Sequence, residues 1–185
     1  MHDPFTLTTE RLELRALDDA DVAGLVRHWG DAKVRRYLWD DKPVTDDMVS
    51  HIVTTSNRDF RERGYGIWAV RFAGEQDLLG MCGLRRVREG DAVEILYSLR
   101  PRYWRQGLAT EAARAVLEHA FERLHLTQVV AYFDDVNVAS AGVLRRLGMV
   151  ADEGAERAGR GYWSIDLERF RSWRMPAPSV FPPAP

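Results

Sequence analysis

A chain of 185 residues, 45% of them hydrophobic, is long enough for one well-buried core and short for two, so a single domain over residues 1–175 is expected. Its 26 basic and 28 acidic residues leave a net charge of −2, which removes any overall field for nucleic acid or an anionic membrane; a single cysteine, Cys82, excludes an internal disulfide framework and a multi-cysteine zinc site. No apolar run approaches ~20 residues, and Met1 to Thr9 lacks a basic stretch followed by an apolar one, so neither membrane spanning nor secretion is supported and a cytoplasmic protein is expected.

Leu12, Leu14 and Ala16 alternate with Arg11, Glu13 and Arg15, the period of a half-buried strand. Asp18 or Asp19 caps a helix predicted to stop near Gly30, a residue suited to a left-handed exit. Thr45 is the next good cap, and Val49, Ile52, Val53, Ser56 and Phe60 share one face of a helix closing at Gly64. Ile67 to Phe72, Leu78 to Val87 and Ala92 to Leu99 follow as an antiparallel meander, parted by turns at Ala73-Gly74 and Glu89-Gly90-Asp91. A helix from Gly107 to about His125 carries Leu108, Ala112, Val116, Ala120 and Leu124 at steps of four, and Gln128 to Phe133 is the strand after it. Strand, helix and strand make a right-handed crossover that sets the two strands parallel. Asn137 caps a short helix ending at Gly148, Tyr162 to Leu167 is a last strand, and residues 176–185 form a proline-rich tail.

Trp104-Arg105-Gln106-Gly107-Leu108-Ala109-Thr110-Glu111-Ala112-Ala113 joins a strand to a helix through small residues. The first turn of a helix leaves N–H groups without partners and the macrodipole adds positive charge, so an anion settles there if no side chain blocks it. Gly107 and Ala109 keep the approach open, and Arg105 can add a charge-assisted contact. The loop lacks the Gly-Lys-Ser/Thr of a Walker motif and the three glycines of a dinucleotide fold. Its W-x-x-G-x-A-T-E-A pattern resembles the pyrophosphate loop of the GNAT superfamily of acetyl-CoA-dependent N-acetyltransferases, in the Rim-type branch that includes ribosomal-protein N-terminal acetyltransferases. Thr9-Glu10-Arg11-Leu12-Glu13-Leu14-Arg15 is similar to the family's opening strand, and residues 137–149, from Asn137 through Ser140 to Leu147-Gly148-Met149, resemble its N-x-x-S…L-G-F/M segment. The marks lie in family order across most of the chain.

The resemblance implies an α/β GNAT fold: a mixed, mostly antiparallel sheet with two parallel strands splayed into a V at the coenzyme site. It implies acetyl-CoA as cosubstrate, no metal, and direct transfer to a primary amine in a ternary complex. Ser98 and Leu99 would take the pantetheine arm, Arg105, Gln106, Gly107, Leu108, Ala109 and Thr110 the pyrophosphate, and Asn137 would touch the coenzyme. The family often has glycine where Arg105 stands, and some members carry a glutamate where this chain has Pro101.

An attacking amine must be uncharged, so some group accepts a proton. Glu94, midway along the strand before the loop and sharing a face with Leu96 and Ser98, resembles the glutamate used as a water-mediated base in several GNAT enzymes. A strand carboxylate paired with an arginine is the competing reading. Ser140 resembles the proposed general acid of Rim-type enzymes; being far less acidic than a thiol, it is expected to donate a hydrogen bond to the coenzyme sulfur, against the alternative of a first-turn serine bonding its own helix. The short helix holds no tyrosine for that role, and Tyr132 and Tyr162 are not placed by the sequence. The five histidines make no metal-ligand pattern, Cys82 reads as a core residue, and Trp39 is a candidate wall of the acceptor cleft.

The branch points to a protein N-terminal amine as acceptor. A small amine (antibiotic, polyamine or amino acid) and a catalytically silent acyl-CoA-binding module are the alternatives, and a homodimer stays open. The acceptor-determining segments, Asp18 to Arg63 and the Asp152 to Gly161 loop, contain no readable motif.

Overall fold

The structure, a computed structural model, describes residues 5–87, 90–133, 137–152 and 161–174; the proline-rich tail, Glu89 of the predicted second turn and most of the Asp152 to Gly161 loop lie outside the described residues. Eight strands form one sheet in the order β1 (Leu7–Thr8), β2 (Leu12–Ala16), β3 (Ile67–Phe72), β4 (Gly80–Arg86), β5 (Val93–Leu99), β6 (Gln128–Phe133), β8 (Gly161–Asp166) and β7 (Val150–Ala151). All neighbours are antiparallel except β5 and β6, which run parallel as the crossover requires. That pair shares one bridge, Glu94 opposite Val130. β4 and β5, by contrast, pair along their whole length from Gly80 opposite Leu99 to Arg86 opposite Val93.

Helices cover both faces, so the central strands alternate between two apolar clusters. Trp68, Val70, Cys82 and Leu84 face one cluster, while Ile67, Ala69 and Met81 face the other. The second cluster packs against α1 (Val22–Gly30), α2 (Ala32–Leu38) and α3 (Asp46–Arg63) through Leu25, Trp29, Val34, Val49 and Val53. The first packs against α4 (Leu108–Glu118), α5 (Val138–Arg146) and α6 (Leu167–Arg174) through Leu108, Val116, Leu144 and Phe170. A buried ion pair between Asp21 and Arg71 ties the entry of α1 to β3.

Thr45 caps α3 by accepting from the Met48 amide at 3.3 Å, and Gly64 closes it at φ 77°. A side chain there would meet the usual left-handed penalty of about 1–2 kcal/mol. α1 ends at Gly30 as expected, but its exit and two other boundaries differ from the sequence expectation. Gly30 does not turn left-handed; Asp31 follows it, accepts from the Lys33 amide at 2.8 Å and starts α2 at once. α4 stops at Glu118 and continues as a wider π turn, His119–Arg123, in which His119 Nε2 lies 2.8 Å from the Gly64 carbonyl. β8 ends at Asp166, whose carboxylate accepts from the Arg169 amide at 2.7 Å, so Leu167 opens α6 instead of finishing the strand. Among the described residues no helix is long and apolar enough to cross a membrane.

Candidate active site

Beyond the Glu94–Val130 bridge, β5 and β6 part: no pairing joins residues 95–99 to 131–133. A chain without a neighbour on one edge leaves peptide groups free to bond an extended ligand. The opening belongs to a cleft of about 2070 Å³ that reaches Leu99, Arg105, Gly107 and Ser140 on one side and Trp29, Trp39 and Thr55 on the other. Ordinary small-molecule pockets hold about 300–1,000 Å³, so two reactants fit together.

The loop at the mouth of the wedge is shaped by two left-handed residues, Arg105 at φ 63° and Gly107 at φ 78°. At the first an arginine bears a Cβ penalty that a glycine would escape. Gly107 is the N-cap of α4 and no side chain caps that end. Its first-turn amides are therefore open to an anion, which is the fit a diphosphate needs. Leu108 is buried in the core and Thr110 nearly so, which leaves only their backbone to face the cleft. Arg105 lines the cleft and has no partner among the described residues, whereas Gln106 turns away and donates to the Arg102 carbonyl at 3.1 Å.

Glu111 pins this loop to the N-terminal strand. It accepts from Thr9 Oγ1 at 2.5 Å, the Arg11 amide at 3.0 Å and Arg11 Nε at 2.7 Å, while another Arg11 nitrogen donates to the Gln106 carbonyl at 3.1 Å. Burial acts to raise the Glu111 pKa, but these bonds together more than offset it and hold the carboxyl below its usual value of 4.5. Glu111→Ala is expected to destabilise the fold by about 1–2 kcal/mol, allowing for solvent at Arg11. A folded-state pKa below the unfolded one gives stability that is complete above pH 4.5 and lost as pH falls through the lowered value. Denaturant melts of wild type and variant should therefore differ at neutral pH and converge in acid.

On β5, Glu94, Leu96 and Ser98 share the face toward α1 and α3, as period two requires. Glu94 is 6% exposed, and its Oε2 accepts from Arg85 Nε at 2.7 Å across the strand pair. The carboxylate is buried and paired, and it sits at the vertex of the wedge. Ser98 Oγ lies 2.9 Å from His28 Nε2, with the Ser98 carbonyl at 3.1 Å from the same nitrogen. Burial chiefly lowers the His28 pKa to about 4, so the ring is neutral at physiological pH. The Leu99 carbonyl accepts from Trp104 Nε1 at 2.6 Å.

The other face of β5 turns Tyr97 toward α5. Its hydroxyl lies 2.9 Å from Ser140 Oγ and donates to the Ser140 carbonyl at 3.1 Å. Asn137 Oδ1 caps the same turn by accepting from the Ser140 amide at 3.2 Å. The structure thus brings Glu94, Ser98, Leu99, Arg105, Gly107, Leu108, Ala109, Thr110, Asn137 and Ser140 onto one cleft, with Gln106 outside its lining. Arg85, Tyr97 and His28 were not singled out from sequence. Period two along β5 places Tyr97 opposite the Glu94 face, but its partner is 43 residues away.

Cys82 is fully buried and burial pushes its thiol pKa well up, which suits a core residue and not a nucleophile. Trp39 lines the cleft beside Trp29, their ring centroids 5.4 Å apart. Among the described residues no group of three or more His, Cys, Asp or Glu is placed to hold a metal ion.

The acetyltransferase (GNAT) domain matches residues 11–150. The chain is 31% identical over 150 residues to an uncharacterized N-acetyltransferase, p20, of Bacillus licheniformis, covering 77% of this chain and 80% of that one. An acetyltransferase from Agrobacterium tumefaciens superposes with a TM-score of 0.77 at 25% identity, covering 86% of this chain and 93% of the other. RimL, a ribosomal L7/L12 alpha-N-protein acetyltransferase solved with coenzyme A, shares the fold at a TM-score of 0.72 and 21% identity, with 89% and 99% covered. With the parallel wedge, the uncapped helix and the loop motif all in place, the chain belongs to the GNAT family of acetyltransferases.

Proposed function

We propose that this acetyltransferase transfers the acetyl group of acetyl-CoA to the α-amine of a protein N-terminus by direct attack in a ternary complex. One observation carries the reading: the open amides at the start of α4 lie at the mouth of the unpaired β5–β6 wedge. An anionic diphosphate at the first and an extended arm along the second bring the thioester to Glu94 and Ser140. The amine nitrogen bonds to the thioester carbonyl carbon, the C–S bond breaks, and its electron pair leaves on sulfur. The surplus amine proton passes to Glu94, directly or through water. The wedge holds one reactant in register with the other, which removes much of the entropic barrier.

The chemistry at the vertex supports that acceptor class. Glu94 already holds Arg85 through one oxygen, so an amine that arrives largely neutral places the least demand on it. An α-amine with a pKa of about 8 meets that condition better than a lysine at about 10.4. The far side of the cleft bears Lys33, Arg58 and Arg63 against Asp59, a balance that disfavours a polyamine. A compact amine is the second reading, favoured by the paired Trp29 and Trp39 rings, which suit a small apolar body.

Incubation with acetyl-CoA and a mixed panel of N-terminal peptides and small amines, read by mass for one added acetyl group, decides between them. Acetylated peptide N-termini are the expected result. Product on small amines alone would replace the acceptor assignment, and tight acetyl-CoA binding with no acetylated amine would overturn the reading.

A further inference from the structure

We propose that Tyr97 is the positioning residue that aims the Ser140 hydroxyl at the coenzyme sulfur. The inference rests on the transfer reading, in which the departing sulfur gains negative charge and is stabilised by a hydrogen bond. Ser140 sits in the first turn of α5, where a serine hydroxyl ordinarily bonds its own helix backbone. Here its only partner among the described residues is Tyr97, reaching across from β5 at 2.9 Å. The phenol also lies 3.1 Å from the Ser140 carbonyl, so it grips the residue at two points. Asn137 fixes the Ser140 amide at 3.2 Å, and the side chain has little freedom left.

The proton count then decides the function. Each hydroxyl carries one proton and can accept others. The one Tyr97 proton has two acceptors on the same residue, the Ser140 carbonyl at 3.1 Å and Ser140 Oγ at 2.9 Å; when it swings to the shorter contact, the serine proton is released from the pair, and the cleft that both residues line is the open direction. Burial, the largest influence on it, keeps the Tyr97 phenol protonated, so it serves as a lasting donor and not as a base. In the transfer step the C–S bond breaks with its electrons going to sulfur; Ser140 O–H donates to that sulfur while Tyr97 O–H donates to Ser140. No proton need leave either residue, because a thiolate from a thiol of pKa about 8.5 is a competent leaving group once hydrogen-bonded.

The test compares binding of coenzyme A with binding of desulfo-coenzyme A, which lacks the sulfur, alongside steady-state kinetics. Wild type is expected to prefer the sulfur-bearing ligand by about fivefold, the worth of one hydrogen bond to an uncharged thiol. Tyr97→Phe and Ser140→Ala should each erase that preference and lower kcat about tenfold, with KM for acetyl-CoA within twofold. The double variant should be no worse than Ser140→Ala, because the two act as one unit. Ser140→Thr, which restores a hydroxyl, should recover the preference with Tyr97 present and not in the Tyr97→Phe background. A Tyr97→Phe protein that keeps the wild-type ligand preference, or a double variant whose losses add, overturns the assignment. Binding needs no acceptor, so absence of any acetylated amine would sink the transfer reading while the ligand ratio still judges Tyr97.

Discussion

Glu94→Gln is expected to lower kcat about 100-fold, the low end of what a positioned general base contributes. The glutamine keeps the shape of the buried side chain and can still accept from Arg85 Nε, so the strand pairing and the wedge persist. What it loses is the capacity to take up a proton. The deficit should be largest at low pH, where the acceptor amine is mostly charged, and should shrink as pH rises through the acceptor's own pKa of about 8. The dissociation constant for acetyl-CoA should stay within twofold, since the backbone amides proposed to hold the coenzyme lie elsewhere. Measured kcat/KM against pH checks this, and an unaltered profile would remove Glu94 as the base.

The second large effect concerns stability. His28 is 2% exposed, and its pKa falls from 6.5 to about 4 in the folded protein. The unfolded chain therefore binds a proton below pH 6.5 that the folded chain refuses until about 4. Stability from this residue is complete above the upper value and drains away as pH falls toward the lower one, amounting to about 3 kcal/mol. Urea titrations at steps across that window should show the loss in wild type and a flatter curve for His28→Gln, which retains donor and acceptor atoms for Ser98. Parallel curves would refute the assignment. Because His28 joins α1 to β5 at Ser98, the same acid window should loosen the α1 side of the cleft.

Local signals made much of this fold legible. Thr45 and Gly64 bracket α3 as the capping chemistry demands, the meander strands fall where alternation puts them, and the small-residue loop lands at the N-terminus of α4. α2 was hidden because Gly30 reads as an exit, while the stronger instruction is the Asp31 cap that follows it. α6 was hidden because Phe170 is its one buried residue in a charged run, too little for a periodic stripe. The site was legible where the chemistry is backbone and local. It was illegible where side chains meet across the fold: Arg85 on Glu94, His28 on Ser98 and Tyr97 on Ser140 are facts of register and packing that no single segment encodes.

Where β5 meets β6 the ladder has a single rung, so the two halves of the sheet are joined there less by backbone bonds than by the core they share beneath α4. β1 to β5 form one half and β6 to β8 the other, and α4 spans the joint. A ligand that fills the gap supplies the strand edges facing it with the backbone partners they lack. Coenzyme occupancy and stability of the protein thereby become linked: saturating ligand raises the melting temperature by mass action, and release of spent coenzyme gives that increment back.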